Sequence, residues 1–170
     1  VPMPRMVAVA AAATRVRYES SSVADYKSIG IASDHAGFEL KQVLKQRLSA
    51  LDFLVIDLGP EEPQPVDYPD YGYAMGRAVR DGHVELGVLV CGSGIGISIA
   101  ANRFPEVRAA LVHDELGARL ARQHNDANVI CFGGRTTGVD VALDCLRVFL
   151  ETSFEGGRHC GRVDKLSHPA

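Results

Sequence analysis

The chain reads as an α/β protein with a five-stranded parallel sheet, and three observations predict it. From Ser28 onward, short β-branched runs alternate with longer segments whose apolar residues recur at helical spacing. The run Leu86 to Val90 is nearly continuous in apolar residues, the mark of a strand buried on both faces. The segments between runs are long enough for helical crossovers, which parallel strands require and which are right-handed. Helices on both faces of such a sheet make a three-layer αβα sandwich, Rossmann-like, with the strand order 2-1-3-4-5 expected.

The elements follow in order. Ser28 to Ala32 is the first strand, and Ala36 to Leu51 a helix with Leu40, Val43, Leu44, Leu48 and Leu51 on one face. Phe53 to Ile56 is a strand. Gly59 to Pro69 carries prolines at 60, 63, 65 and 69 and reads as a loop. Asp70 to Asp81 is a helix with Gly82 at its stop position. After the strand Leu86 to Val90, Ile95 to Arg103 is a helix that ends before Pro105. Arg108 to Val112 is a strand, Asp114 to His124 a helix, Asn128 to Phe132 a strand and Val139 to Thr152 a helix. Residues 28–170 thus form one domain. The first 27 residues differ: an alanine-rich stretch from Met6 to Ala13, then Arg15, Arg17 and three serines, read as a disordered leader or a weak targeting segment.

Lys plus Arg number 18 and Asp plus Glu 21, a net charge of −3 that argues against nucleic acid as the main partner, since phosphate binding needs a clustered basic surface. No apolar run approaches the roughly 18 residues of a membrane span. Trp is absent and aromatics are 6%, so the core rests on aliphatic residues. The four cysteines, Cys91, Cys131, Cys145 and Cys160, include no C-x-x-C pair, and a chain of this size can bury a core without disulfides. A reducing, cytoplasmic protein is expected.

Ligands of open parallel sheets bind outside the carboxyl ends of the strands. Reading those ends, and the segments beyond the helices, collects one set of residues at one expected edge. Strand 1 ends in Ser33-Asp34-His35, strand 3 in Cys91-Gly92-Ser93-Gly94-Ile95-Gly96, strand 4 in His113-Asp114 and strand 5 in Gly133-Gly134-Arg135. The fourth helix ends in His124-Asn125-Asp126, and the tail carries Arg158, His159 and Arg162. Glycines at 92, 94 and 96 let backbone N–H groups turn inward at a helix start, which suits an anion or a developing oxyanion. A thiol at such a start ionises more readily than a free one, so Cys91 is a candidate base or nucleophile, against the alternative of a small apolar strand end. A helix carboxyl end favours an imidazolium, which marks His124. Arg158 and Arg162, four apart, share a face if helical, and with Arg135 offer planar forks for a phosphate; the alternative is a solvated arginine pair. A dinucleotide site is a competing reading, since Asp114 lies 20 residues after Gly94, but Ile97 stands at the third glycine position and the glycines follow strand 3.

Five blocks carry a resemblance: Ser33-Asp34-His35-Ala36-Gly37, Asp67-Tyr68-Pro69, Cys91 through Asn102, Arg122-Gln123-His124-Asn125-Asp126 and Glu155-Gly156-Gly157-Arg158-His159. In this order and spacing the chain resembles the type B ribose-5-phosphate isomerases, within a wider sugar-phosphate isomerase family that includes galactose- and allose-phosphate isomerases. The resemblance runs from about Lys27 to Leu166. It implies interconversion of ribose 5-phosphate and ribulose 5-phosphate, a step of pentose phosphate metabolism, with no metal and no cofactor; the alternative is the same chemistry on another sugar phosphate, allose or galactose 6-phosphate or a tetrose phosphate. It implies Cys91 as the base moving a proton between C2 and C1, and His124 as an acid/base in ring opening with Asp67 and Tyr68 nearby. Ser93 and the N–H groups of Gly92, Ser93, Gly94, Ile95 and Gly96 would hold the enediolate oxyanion. Asp34 and Asn125 would contact sugar hydroxyls, and His35, Arg135, Arg158 and Arg162 the phosphate. The implied assembly is a homodimer with the site at its interface, a tetramer being the alternative. Two departures stand out. One branch of the family uses a glutamate base just after the glycine run, where this chain has Ile97, so the cysteine branch fits; and Ser93 replaces the threonine common there.

Overall fold

The computed structural model describes residues 28–168, so the expected leader over 1–27 lies outside the described residues. The elements alternate as β1 (Ser28–Ser33), α1 (Phe38–Ala50), β2 (Leu54–Asp57), α2 (Tyr68–Arg80), β3 (Leu86–Cys91), α3 (Ile95–Ala101), β4 (Ala109–Leu111), α4 (Glu115–Asn125), β5 (Val129–Gly133) and α5 (Val139–Glu151). A 3₁₀ turn, Gly157–His159, then leads into α6 (Cys160–Ser167). The tail arginines therefore both lie in helical turns, Arg158 in the first and Arg162 in the second. Pro69 belongs to the first turn of α2 rather than to the loop, where its missing N–H costs nothing and its φ suits the helix.

All strand pairs are parallel, and the sheet order is 2-1-3-5-4. The expected order 2-1-3-4-5 is thus corrected in its last two places. The reason lies in burial. Val129–Gly133 is buried along its whole length, as a central strand must be, whereas Ala109–Leu111 is three half-buried residues, as suits an edge. The swap sets Cys91 directly opposite Gly133, so the loops that follow β3 and β5 are neighbours.

The two sheet faces have different covers. Ile29, Ile31, Val88, Val90, Ile130 and Phe132 pack against α1, α4 and α5; Leu89, Cys91, Val129 and Cys131 pack against α2 and α3. Each large aliphatic buried here contributes about 1.5–3 kcal/mol. Helices α2 and α3 touch almost backbone to backbone, because Gly72 has no side chain where a methyl group would stand 2.6 Å from the Ala100 Cβ. The predicted face of α1 needs one change: Val43 is half-buried and Leu51 exposed, while Lys41, one turn before Leu44 and two before Leu48, is fully buried.

Candidate active site

The carboxyl edge of the sheet holds one group of the expected residues. Cys91 closes β3 and is 3% exposed; its Sγ accepts the Gly94 N–H at 3.1 Å. Gly94 caps α3 with φ +76°, a left-handed conformation. A methyl group there would also fall 2.5 Å from the Leu111 Cδ1 and 2.8 Å from the Phe132 carbonyl carbon. We expect Gly94→Ala to cost at least about 1–3 kcal/mol through backbone strain alone, read as a lower urea midpoint, with a loss of activity as the amide leaves the thiol. Ser93 turns its hydroxyl to the Ile95 N–H, 3.3 Å away.

The neighbouring loops close on this turn. The Gly134 N–H donates to the Cys91 carbonyl at 2.7 Å and the Arg135 N–H to that of Gly92 at 3.0 Å; the Arg135 guanidinium lies 3.5 Å from where a Gly92 Cβ would be. From β1, the Asp34 N–H donates to the Val90 carbonyl at 3.1 Å, and its buried carboxylate accepts the Gly37 N–H at 2.9 Å. His35 Nδ1 meets the Val66 backbone at 3.3 Å, which brings the end of the proline-rich loop alongside. Asp67 and Tyr68 follow, and the Tyr68 ring stands over Gly96, where a methyl group would be 2.5 Å away. Asp34, His35, Asp67, Tyr68, Cys91 to Gly96 and Arg135 are therefore assembled by one chain.

The other group lies elsewhere, which corrects the expectation of a single edge. A crossover helix runs antiparallel to its strands, so its carboxyl end reaches the amino edge of the sheet. His124 and Asn125 end α4 just before Ala127 and Asn128 enter β5, where Ala127 N–H donates to the Ala121 carbonyl at 2.9 Å. The tail joins them there, the Glu155 N–H donating to the Gln123 carbonyl at 3.0 Å. The length of β5 alone, at ~3.3 Å per residue, separates the two edges by about 13 Å.

At this second edge the His124 and His159 rings stack, centroids 4.5 Å apart, and Glu155 Oε2 lies 3.9 Å from Nε2 of the first and 3.7 Å from that of the second. His159 is 5% exposed and its Nε2 has no hydrogen-bond partner. Desolvation, then the positive charge of His124, Arg158 and Arg162, lowers its pKa below the usual 6.5, against the opposing pull of Glu155. The folded state then binds fewer protons than the unfolded chain below about pH 6.5, so stability should fall as pH drops through that value and not above it. Melting temperatures between about pH 8 and pH 5 should show this loss in the native protein and a smaller one in His159→Gln.

The frame behind these groups ties Arg122 and Asp126 of the fourth sequence block to Arg108, a link that the sequence does not show. Arg122, 2% exposed, donates to Asp126 Oδ1 at 2.9 Å and to the Ala127 carbonyl at 2.7 Å, and its guanidinium lies 5.5 Å from the Phe149 ring centroid. Arg108 reaches the other Asp126 oxygen at 3.2 Å. Together they hold Asp126 in its left-handed cap, φ 45°, and so fix where α4 stops and His124 points. The clue was Asp126 itself, a residue type that tolerates positive φ after a helix. Cys131 and Cys145 are core thiols: burial, then Cys91, pushes the first far up, and burial first of all pushes the second up to about 11.

A family model described as Ribose/Galactose Isomerase matches residues 29–166. The chain belongs to the ribose/galactose isomerase family. Members of that family similar to it include the probable ribose-5-phosphate isomerase B of Mycoplasma pneumoniae, 45% identical over 81% of this chain and 91% of the relative. The ribose-5-phosphate isomerase B of Escherichia coli is 41% identical over 83% and 95%. Among solved structures, the ribose-5-phosphate isomerase B of Clostridium thermocellum superposes with a TM-score of 0.81 at 44% identity, covering 82% of this chain and 95% of that one. That of Anaplasma phagocytophilum gives 0.79 at 48%, covering 86% and 99%. Family membership makes the chain an isomerase, in the intramolecular oxidoreductase class. Among the described residues, no helix of this isomerase is long and apolar enough to cross a membrane.

Proposed function

We propose that the chain interconverts ribose 5-phosphate and ribulose 5-phosphate through an enediolate, without a metal, in a site completed by a second copy of itself. The observation that carries the reading is the buried Cys91 thiol at the end of β3, with an amide 3.1 Å from its sulfur and a glycine turn around it.

The thiolate takes the proton from C2 of the open-chain aldose. The C–H electron pair forms the C1=C2 bond, and the former carbonyl oxygen becomes the oxyanion. The same sulfur returns the proton to C1, while the O2 proton passes to O1. Each donor on such an oxyanion is worth ~10²–10³ in rate. The Ser93 hydroxyl and the N–H groups of Gly92, Ser93 and Gly96 serve as donors, while the Gly94 amide is engaged by the sulfur and the Ile95 amide by the Ser93 oxygen. Asp34 contacts a sugar hydroxyl, and His35 and Arg135 the phosphate.

His124, Asn125, Arg158 and Arg162 complete this site from the other copy, because their own chain carries them at the opposite edge. Ile95 and Ile99, more than half exposed and one helical turn apart on α3, form an apolar stripe beside the glycine turn that a second copy would cover. A homodimer follows, or a tetramer built of two.

The test is proton NMR of ribose 5-phosphate with the protein in deuterated water and EDTA. Ribulose 5-phosphate carrying deuterium at C1 is the expected product. No conversion, with turnover of allose or galactose 6-phosphate in the same tube, would move the activity to another sugar. Turnover lost only on adding EDTA would overturn the metal-free route.

A further inference from the structure

We infer that Lys41 is a positioning residue for ring opening: with Asp57 it clamps the segment that sets Asp67 and Tyr68 against His35 and the glycine turn. This rests on the isomerase reading above and assigns a role to a buried charge that the reading does not use. The Lys41 side chain is fully buried in α1. Its Nζ donates to Asp57 Oδ1 at 2.9 Å and to the Pro60 carbonyl at 2.6 Å, and sits 5.2 Å from the Phe38 ring centroid. Lys45 holds the other Asp57 oxygen at 2.7 Å, and the Gly59 N–H donates to Oδ1 at 2.9 Å. The Gly59 carbonyl in turn accepts the Ser33 N–H at 3.0 Å. The chain leaving β2 is thus fastened at once to α1 and to the end of β1.

The fastening matters because of what comes next. Residues 61–65 are exposed, and the next tie shown is Val66 on His35. The loop therefore hangs between an ammonium at Pro60 and an imidazole at Val66, and Asp67 and Tyr68 follow directly. A buried ammonium is an expensive way to fill space, since apolar residues of similar volume often replace buried ion pairs without loss of stability. Its distinctive property here is the direct hold on the Pro60 carbonyl, which an apolar side chain would lack. Burial alone would raise the Asp57 carboxyl, but the bonds from Lys45, Lys41 and Gly59 outweigh it and hold it below the usual carboxylate range, so Asp57 stays a carboxylate at neutral pH.

The substrate offers a readout that separates position from mere folding. Ribose 5-phosphate is largely a closed furanose in water and must be opened before Cys91 can act. Ribulose 5-phosphate, with its C5 oxygen phosphorylated, cannot close that ring. Exchange of its C1 hydrogen needs only the thiolate and the oxyanion donors: the thiolate removes the proton, the thiol exchanges with deuterated water, and a deuteron returns to C1. Conversion of ribose 5-phosphate needs the ring-opening groups as well.

The experiment measures both rates, C1 exchange from ribulose 5-phosphate and ketose formation from ribose 5-phosphate, for the native protein, Lys41→Met and Asp57→Asn. A misplacement of about 1 Å can cost ~10²-fold, so kcat/KM on ribose 5-phosphate should fall by about ten- to a hundredfold. Exchange should fall much less, raising the exchange-to-conversion ratio by about tenfold. The ratio does not depend on how much protein is folded, and Asp57→Asn carries the test if Lys41→Met does not accumulate. An unchanged ratio in the folded variants would overturn the positioning role. Absence of both exchange and ketose formation in the native protein would overturn the isomerase reading itself, before any variant is compared.

Discussion

Cys91→Ala is expected to lower kcat on ribose 5-phosphate by ~10²–10⁴, the usual contribution of a positioned acid–base group, while the sugar phosphate still binds. The thiol is almost fully buried, so losing its sulfur leaves a small gap and frees the Gly94 N–H, while the Arg135 and Asp34 side chains have no bond to the sulfur to lose. A nearby thiol cannot take over, because Cys131, two ladder positions back on the adjacent strand, is held protonated by burial. Calorimetry with ribose 5-phosphate should therefore report binding close to that of the native protein, and C1 exchange should vanish with turnover. Turnover within about tenfold of native would remove Cys91 as the base.

The second large effect is the recovery of activity by mixing two inactive chains. If each site takes Cys91 from one copy and His124 from the other, Cys91→Ala and His124→Asn lesions fall in the same site of the mixed dimer. The other site then contains Cys91 from one variant and His124 from the other, both native. Isolated mixed dimers should show about half the native activity, and a random equimolar mixture about a quarter, as a two-fold interface requires. Co-expression of differently tagged chains and sequential affinity steps would isolate the mixed dimer. A mixed dimer as inactive as its parents would mean that the two clusters do not share a site. The separation of Cys91 and His124 at opposite sheet edges is what makes the experiment informative.

Much of this architecture was legible in the residues. The alternation of strand and helix is written in periodicity, and every strand boundary moved by at most a residue or two. What could not be read was order across the sheet. Pattern shows that Val129 to Phe132 and Arg108 to Val112 are strands, but which lies centrally depends on how completely each is covered. The expected edge failed for a related reason. His124 ends a helix rather than a strand, and the direction of that helix carries it to the far side. Lys41 was invisible because a lysine on a helix is ordinarily solvated, and its carboxylate partner stands 16 residues on, beyond a turn. The glycine run, the thiol and the tail arginines stand out in the sequence because the patterns that mark them are local.

The strand order has a consequence for how the sheet is made. Chain growth delivers β1, β2 and β3 as a set that can pair at once, since β1 touches both others. β4 comes next with nowhere to go: among the described residues its only neighbour in the sheet is β5, which has not yet been made. A vacant slot beside β3 must wait until the chain has extended through Gly133, and then β5 enters it and captures β4 in one step. The second half of the molecule therefore assembles inward from a late central strand, a non-local closure of the kind that slows folding and leaves an edge open meanwhile. The same late event completes the pairing of Cys91 with Gly133, so the loop that carries Arg135 bonds to the Cys91 and Gly92 carbonyls only when the sheet itself is finished.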